Sequence, residues 1–343
     1  MFCKIFYTEA MTLLKRELEM KKTQIILLSA IVFLWTNMAY AVSLPGPLVE
    51  TEWLAKNLDN VVILDVRQDT KSFTKKPVFN KDKKTGKSKL KKVAGHIPNS
   101  ILVNYKNLRT NKKIDGRVVQ KMRVGKADFE KLLQKSGVNK DSAVVIVYKG
   151  VGNGDLTMAT RFYWQMKYYG FDNMAILNGG MAQWILDERA VGTKATKVKK
   201  GNWRATTERK EILATSQDVD AAVKNNIQLV DTRAISLYLG TWRKKSYVYN
   251  DGHIPGAKPF PNELLSTTMP AKFLKTSDSK LLFEQMGIKT DKESVTYCNS
   301  GHLATGSWFV LSELMGNKNV KMYDGSMHQW TLEKRDVTKM KME

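Results

Sequence analysis

The sequence predicts an α/β protein made of two tandem copies of one unit, each a mostly parallel sheet with helices on both faces. Three observations lead there. Four sequence blocks recur in the same order in the two halves of the chain. Short continuous β-branched runs, such as VVILDV from Val61 and VVIV from Val144, read as strands buried on both faces, the habit of parallel sheets. Helical segments fall between and after these runs, and strands alternating with helices imply crossover connections.

The elements follow in chain order. Met20-Lys21-Lys22 opens a basic stretch, Ile25 to Trp35 is mostly apolar, and Ala39-Tyr40-Ala41 has the small-x-small pattern of a cleavage site. That order is a secretory signal, with an apolar run short for a membrane span. Residues 1–41, with Met20 as an alternative start, are therefore expected to be removed. The mature chain is expected to be periplasmic or secreted, with no stable membrane anchor. Residues 42–187 are assigned to the first unit, 188–210 to a basic, polar linker and 211–343 to the second unit. At about 150 residues per domain, each unit is long enough for its own core.

The first unit carries VVILDVR (Val61–Arg67), then AGHIPNS (Ala94–Ser100), SGVNKDSAVVIVYKG (Ser136–Gly150) and ILNGGMAQW (Ile176–Trp184). The second carries IQLVDTR (Ile227–Arg233), DGHIPGA (Asp251–Ala257), MGIKTDKESVTYCNS (Met286–Ser300) and MYDGSMHQW (Met322–Trp330). Each Gly-His-Ile-Pro reads as a turn feeding a short strand, with His96 and His253 in turn-stabilising roles. Asp65-x-Arg67 and Asp231-x-Arg233 are expected to form local ion pairs at strand ends. Helices are expected from Lys126, over Leu156–Tyr169 and over Ala304–Met315. The aromatics Phe162, Tyr163, Trp164, Tyr168 and Tyr169 are read as core or domain interface. The loop Gly150–Gly154 lacks the Gly-Lys-Ser/Thr ending of a phosphate-binding loop.

Net charge is +23, and much of it lies between Lys75 and Lys92, where nine lysines occur. The tract lacks aromatics interleaved with arginines, so nucleic acid is not an expected partner and a solvated, mobile loop is. Four scattered histidines and one mature thiol give no metal-ligand spacing.

Of two cysteines, Cys3 lies in the segment expected to be lost, leaving Cys298. A single thiol in an oxidising compartment is either inert or retained for reactivity. Cys298 directly follows the strand Ser294–Tyr297 and precedes the helix from Ala304, across Asn299, Ser300, Gly301, His302 and Leu303. The carboxyl ends of strands in open α/β sheets are where ligands bind. A helix start favours an anion, and a glycine lets a loop turn its N–H groups inward. Such a polar loop is a poor place to bury a thiol, so an ionised sulfur open to attack is expected.

Strand, Cys-x-x-Gly loop and helix, with the two DxR and two GHIP blocks, resemble the rhodanese family over roughly Leu48–Trp330. More narrowly, the chain resembles the two-domain thiosulfate and 3-mercaptopyruvate sulfurtransferases. The resemblance implies an inactive first copy, with Lys149 at the position of Cys298, and a catalytic second copy. It implies that the Cys298 thiolate takes sulfur from a small anionic donor as a persulfide. A thiol, cyanide or sulfite then accepts it, and no metal or organic cofactor takes part. Asn299, Ser300, Gly301, His302 and Leu303 would line the donor site, with Ser300 matching the mercaptopyruvate type. The family's donor-binding arginine is replaced by Leu237, and Arg243, Lys244 or Lys245 is expected to reach the same pocket. Cysteine phosphatases need an arginine six residues after the cysteine, where Ala304 stands. A non-catalytic sulfur carrier is the alternative.

Overall fold

A computed structural model describes Met11, residues 15–22 and residues 42–341. Residues 15–22 are helical and fall in a first compact unit, Met1–Val42, while Ser43–Glu343 form a second. The apolar run and cleavage site expected between Ile25 and Ala41 lie outside the described residues.

In the first half of the second unit the chain runs β1 (Leu48–Val49), α1 (Thr51–Lys56), β2 (Val62–Arg67), β3 (Val78–Lys81), β4 (Ser88–Lys92), β5 (Ile101–Asn104), β6 (Arg109–Ile114) and β7 (Arg117–Arg123). It continues through α2 (Lys126–Lys135), β8 (Val144–Val147), α3 (Asn153–Tyr168), β9 (Met174–Leu177) and α4 (Gly180–Leu186). The second half starts with β10 (Leu213–Ala214), α5 (Ser216–Lys224), β11 (Gln228–Asp231), α6 (Ile235–Leu239) and β12 (Lys258–Pro259). Then follow α7 (Thr276–Gln285), β13 (Ser294–Tyr297), α8 (Ala304–Phe309), β14 (Val320–Tyr323) and α9 (Ser326–Leu332).

Two five-stranded parallel sheets result, in the orders β1-β9-β8-β2-β5 and β10-β14-β13-β11-β12. The orders correspond strand for strand, so the repeated blocks are two copies of one fold. Their central strands are buried throughout, as β-branched runs covered on both faces should be. Asp65 pairs with Arg67, whose guanidinium also donates to the Gly95 carbonyl. Asp231 pairs with Arg233, which donates to Gly252 O at 2.8 Å. Each DxR block thus ties a strand end to the glycine of its own Gly-His-Ile-Pro turn. His96 Nδ1 bonds Phe73 O and His253 Nδ1 bonds Tyr238 O, each ring stacked on that same residue.

Three segments differ from the sequence reading. The lysine tract is a β3–β4 antiparallel hairpin, not a loop, because Asp82 Oδ1 accepts from the Lys84 and Thr85 N–H groups at its tip and Leu90 is buried. The polar stretch expected to be a linker is docked on the first half: Trp203 and Ala205 are buried, and Gly201 and Trp203 bond Gln134 and Val138. The helix from Ala304 widens into a π-helical turn at Val310–Leu314.

The two halves share one core. α3 packs on α8, with Tyr163 edge-on to Phe309 at 4.9 Å and its hydroxyl on Glu313. Phe162, Trp164, Tyr168 and Tyr169 are buried in the same continuous cluster as Trp308 and Met322. Burial of each such ring is worth roughly 1.5–3 kcal/mol, so the halves are held by apolar packing as well as by polar contacts.

Candidate functional site

Cys298 is the first residue beyond β13, at the carboxyl edge of the middle of the second sheet. Two side chains of the β14–α9 turn organise the loop it starts. Ser326 Oγ accepts from Cys298 N at 3.1 Å and Gly301 N at 3.0 Å, and donates to Tyr323 O. Asp324 pairs with Arg161 of α3 at 2.6 Å, and Arg161 donates to Gly301 O at 2.8 Å. Burial alone would raise the Asp324 carboxyl, but Arg161 and the Arg123 N–H hold it below the ordinary carboxylate value. Gly301 has φ +65°, the left-handed region that glycine enters without penalty. The loop carbonyls of Cys298 and Asn299 accept from Met327 and His328 N–H groups of α9. The N–H groups of Asn299, Ser300, His302 and Leu303 have no acceptor among the described residues. Four free donors in the five residues that follow the cysteine make this loop better suited to a charge than to a neutral group.

The sulfur is buried, with Cys298 1% exposed, which corrects the expectation of an open thiol. The covering layer explains it. β6 and β7, an antiparallel hairpin of the first half that the sequence reading did not find, lie across the loop. Gln120 N donates to His328 Nε2 at 2.9 Å and Arg123 N to Asp324 Oδ2 at 2.9 Å. Arg109 at the start of β6 donates to both the carbonyl and the hydroxyl of Ser300, 3.0 Å to the latter. Lys121 of β7 places its Nζ 3.7 Å from the centre of the Tyr247 ring. Burial lowers the Lys121 amine, as do its neighbours Arg109 and Lys244, while the Cys298 charge opposes them. Burial raises the Tyr105 and Tyr247 hydroxyls, and both also feel Cys298. The thiol therefore sits at a boundary: it belongs to the buried apolar cluster that includes Val230, Phe260 and Ala304, while the side facing the hairpin is polar and cationic.

The other residues singled out by sequence are placed as follows. His302 turns toward the first half, with Nε2 3.1 Å from Thr157 Oγ1 and its ring 4.9 Å from Tyr105. Burial, then the charges of Arg109 and Arg161, push its imidazole down to about 3, so it is neutral and does not steer an anion by charge. Leu303 packs against the shared core as the loop enters α8. Arg243 does not join this cluster: it pairs with Asp251 at 3.5 Å and donates to Tyr249 O. Leu237 is buried in α6. Lys149, at the matching position of the first copy, pairs with Asp69 at 3.4 Å. His328 lies within α9 and joins Gln120 to the Tyr247 carbonyl. Among the described residues no cluster of three or more His, Cys, Asp or Glu could hold a metal.

Ser326 was within reach of the repeat comparison, because GSM in the second copy faces GGM in the first. Ser326 has φ +50° and its counterpart Gly180 φ +57°, so the second copy keeps a serine where the first has glycine. Arg109, Lys121 and Arg161 carried no such signal, since nothing local relates them to a cysteine more than a hundred residues away.

Comparison with known proteins agrees with this arrangement. A profile of the rhodanese-like domain matches residues 50–187 and 215–333. The chain is 30% identical to a Saccharopolyspora erythraea protein named as a candidate thiosulfate sulfurtransferase, over 83% of this chain and 92% of that protein. It is 26% identical to the sulfur carrier protein TtuD of Thermus thermophilus, over 83% and 94%. The crystal structure of the 3-mercaptopyruvate sulfotransferase SseA from Escherichia coli shares the fold, with TM-score 0.64 and 24% identity over 82% of this chain and 98% of that one.

Proposed function

The chain belongs to the rhodanese-like family, and from that premise we propose that it is a sulfurtransferase working through a persulfide on Cys298. The single observation that carries this reading is the site of the described thiol: a loop with four unclaimed N–H groups, under cations. A thiolate there attacks the outer sulfur of thiosulfate or the sulfur of 3-mercaptopyruvate. The S–S or C–S bond breaks, and sulfite or the pyruvate enolate leaves with the electron pair, the enolate then taking a proton. Cyanide, sulfite or a thiol next removes the outer sulfur of the persulfide and the thiolate returns. The thiolate, and the persulfide once ionised, carry negative charge on sulfur, and fixed N–H dipoles stabilise it without reorganising. The same chemistry calls for no metal or organic cofactor.

Ser300 favours the mercaptopyruvate donor by its likeness to that branch of the family. Intact mass after incubation with each donor tests the proposal: a gain of one sulfur atom, mapped to the Cys298 peptide, is expected. No gain with any donor would reject it. The buried thiol and the relationship to TtuD support one second reading, a carrier that receives sulfur from a partner's persulfide. Loading from a protein persulfide, without turnover of either small donor, would select it. We further propose that the protein is exported; the mature chain is expected to begin at Val42, and a retained residue 1 or 20 would refute this.

A further inference from the structure

We propose that the anionic end of the sulfur donor is held by Arg109 and Lys121, so that the copy without the cysteine supplies the donor's binding site. This rests on the sulfurtransferase reading and names the substrate-binding residues of that same centre.

Charge pairing is the first argument. Arg67, Arg161, Arg233 and Arg243 each have an aspartate partner, respectively Asp65, Asp324, Asp231 and Asp251. Arg109 and Lys121 have no carboxylate partner among the described residues; their neighbours are backbone carbonyls, hydroxyls and aromatic rings. Two half-buried cations side by side repel each other, and the lowered Lys121 amine registers that repulsion after burial. An arrangement of that kind is relieved by a small anion.

Geometry is the second. The Arg109 guanidinium donates to Ser300 and, through Nε, to Lys121 O at 2.9 Å, and it lies 5.7 Å from the Tyr105 ring centre. It therefore joins both halves of the site at the residue two positions beyond Cys298. Lys121 sits across from it on Tyr247. The hairpin gives up regular pairing to achieve this. Its register shifts between Thr110 and Lys112, and Lys121 adopts φ +62°, unusual for a residue with a side chain. A bulge re-aims side chains, and a residue held in a sparsely populated region persists where its surroundings fix it.

The third argument is substitution of position. In the second copy Leu237 is buried and apolar, Arg233 and Arg243 are engaged with Asp231 and Asp251, and Lys244, near Lys121, is exposed. The half-buried cations that lack a carboxylate partner, Arg109 and Lys121, come from the other half of the molecule. A guanidinium fork, an ammonium and the Ser300 hydroxyl suit a compact oxyanion, either a sulfonate-like or a carboxylate end.

Full-length Arg109→Ala, Arg109→Lys and Lys121→Met are compared with wild type for thiosulfate and 3-mercaptopyruvate, and for mercaptoacetone, an uncharged donor that keeps the ketone and the breakable C–S bond but lacks the carboxylate. For the anionic donors, KM is expected to rise about tenfold or more in Arg109→Ala, the scale of a lost charged hydrogen bond, with kcat little changed. Arg109→Lys should recover part of the loss. Lys121→Met should follow Arg109→Ala in kind, and mercaptoacetone should be handled as by wild type. Whichever anionic donor responds more identifies the end group. Lys113→Ala, an exposed charge on the same hairpin, controls for overall potential. Equal losses with charged and uncharged donors would assign Arg109 a structural role and overturn the proposal, as would an unchanged KM. A second readout needs no turnover: pyruvate and sulfate, which donate no sulfur, should protect Cys298 from iodoacetamide, and Arg109→Ala should need about tenfold more of either. Wild type that never gains sulfur would reject the sulfurtransferase reading alone. Protection identical in wild type and variant would reject the anion site alone.

Discussion

Gly301→Ala probes the loop at its tightest point. The residue has φ +65°, and an added Cβ would lie 2.6 Å from Asp324 O, 2.7 Å from Asp324 Oδ1 and 2.9 Å from Arg161 Nη1. These are a backbone carbonyl and the two ends of a fully buried ion pair, so none gives way cheaply. The left-handed backbone costs an alanine about 1–2 kcal/mol, and overpacking a tight site about 1–3 kcal/mol more. A total of about 3 kcal/mol is expected, appearing as lost stability or as displacement of the loop from the Ser326 hydroxyl. Gly316→Ala is the matched control: its φ is +77°, but nothing lies within 4 Å of the added carbon, so only the backbone cost of about 1 kcal/mol applies. Denaturant unfolding and the rate of sulfur gain on Cys298 are measured for both. Gly301→Ala should load at least tenfold more slowly, about 1.4 kcal/mol of the total, while Gly316→Ala loads as wild type. Wild-type loading in Gly301→Ala would show that the loop geometry described here is not what the reaction needs.

Cys298→Ser should abolish the mass gain while leaving the unfolding midpoint close to wild type, since serine is nearly isosteric; retained transfer would reject the persulfide. Ser326→Ala removes the acceptor for two buried N–H groups and should cost about 1–3 kcal/mol with slower loading; unchanged stability in unfolding curves would mean water replaces the hydroxyl. His302 and His328 are both depressed from 6.5 by burial, His302 to about 3. Their unfolded forms take up protons first, so stability present above pH 6.5 should fall as pH drops from 6.5 toward 3, and His302→Asn should flatten that slope. A pH-independent midpoint across that window would contradict the neutral imidazoles.

The fold was legible because duplication wrote it twice. A buried β-branched run is ambiguous alone, yet Val61–Val66 and Ile227–Asp231, each followed by Arg and then Gly-His-Ile-Pro, constrain one another. The thiol and its loop were legible for a local reason: strand, turn glycine and helix are neighbours in sequence. What failed to show were the contacts across the chain. Arg109 meets Ser300 over a separation of 191 residues, and Arg161 meets Gly301 over 140. Neither side has a periodicity that announces the other. The hairpin that brings Arg109 there has mixed polar and apolar residues and an irregular register, the features that hide a strand pair from pattern reading. Burial of Cys298 was misjudged for the same reason. Its loop is polar, as read, but the layer above it belongs to the other half.

That layer gives the copy without the cysteine a physical reason to persist. Its own loop has neither of these two parts: Lys149 stands at the position of the thiol and is bound to Asp69, and Gly180 stands at the position of the organising hydroxyl of Ser326. The second half's own arginines Arg233 and Arg243 are committed to Asp231 and Asp251, and its Lys244, which approaches Lys121, is exposed, so the half-buried cations above the cysteine come from the first half. A cation placed there on the same loop would have to be held apart from those carboxylates. Delivered instead from a separate sheet, on a hairpin pinned by Gln120 to His328 and by Arg123 to Asp324, it arrives without a carboxylate of its own. The same contacts close the site over the sulfur, so the sequestering layer and the charged layer are one structure. Donor entry must therefore disturb the hairpin's seat on α9, and loading should slow when that seat is tightened. A disulfide between cysteines placed in β7 and α9 would tighten it, and loading that kept its wild-type rate in the oxidised form would show that sulfur reaches Cys298 by another route.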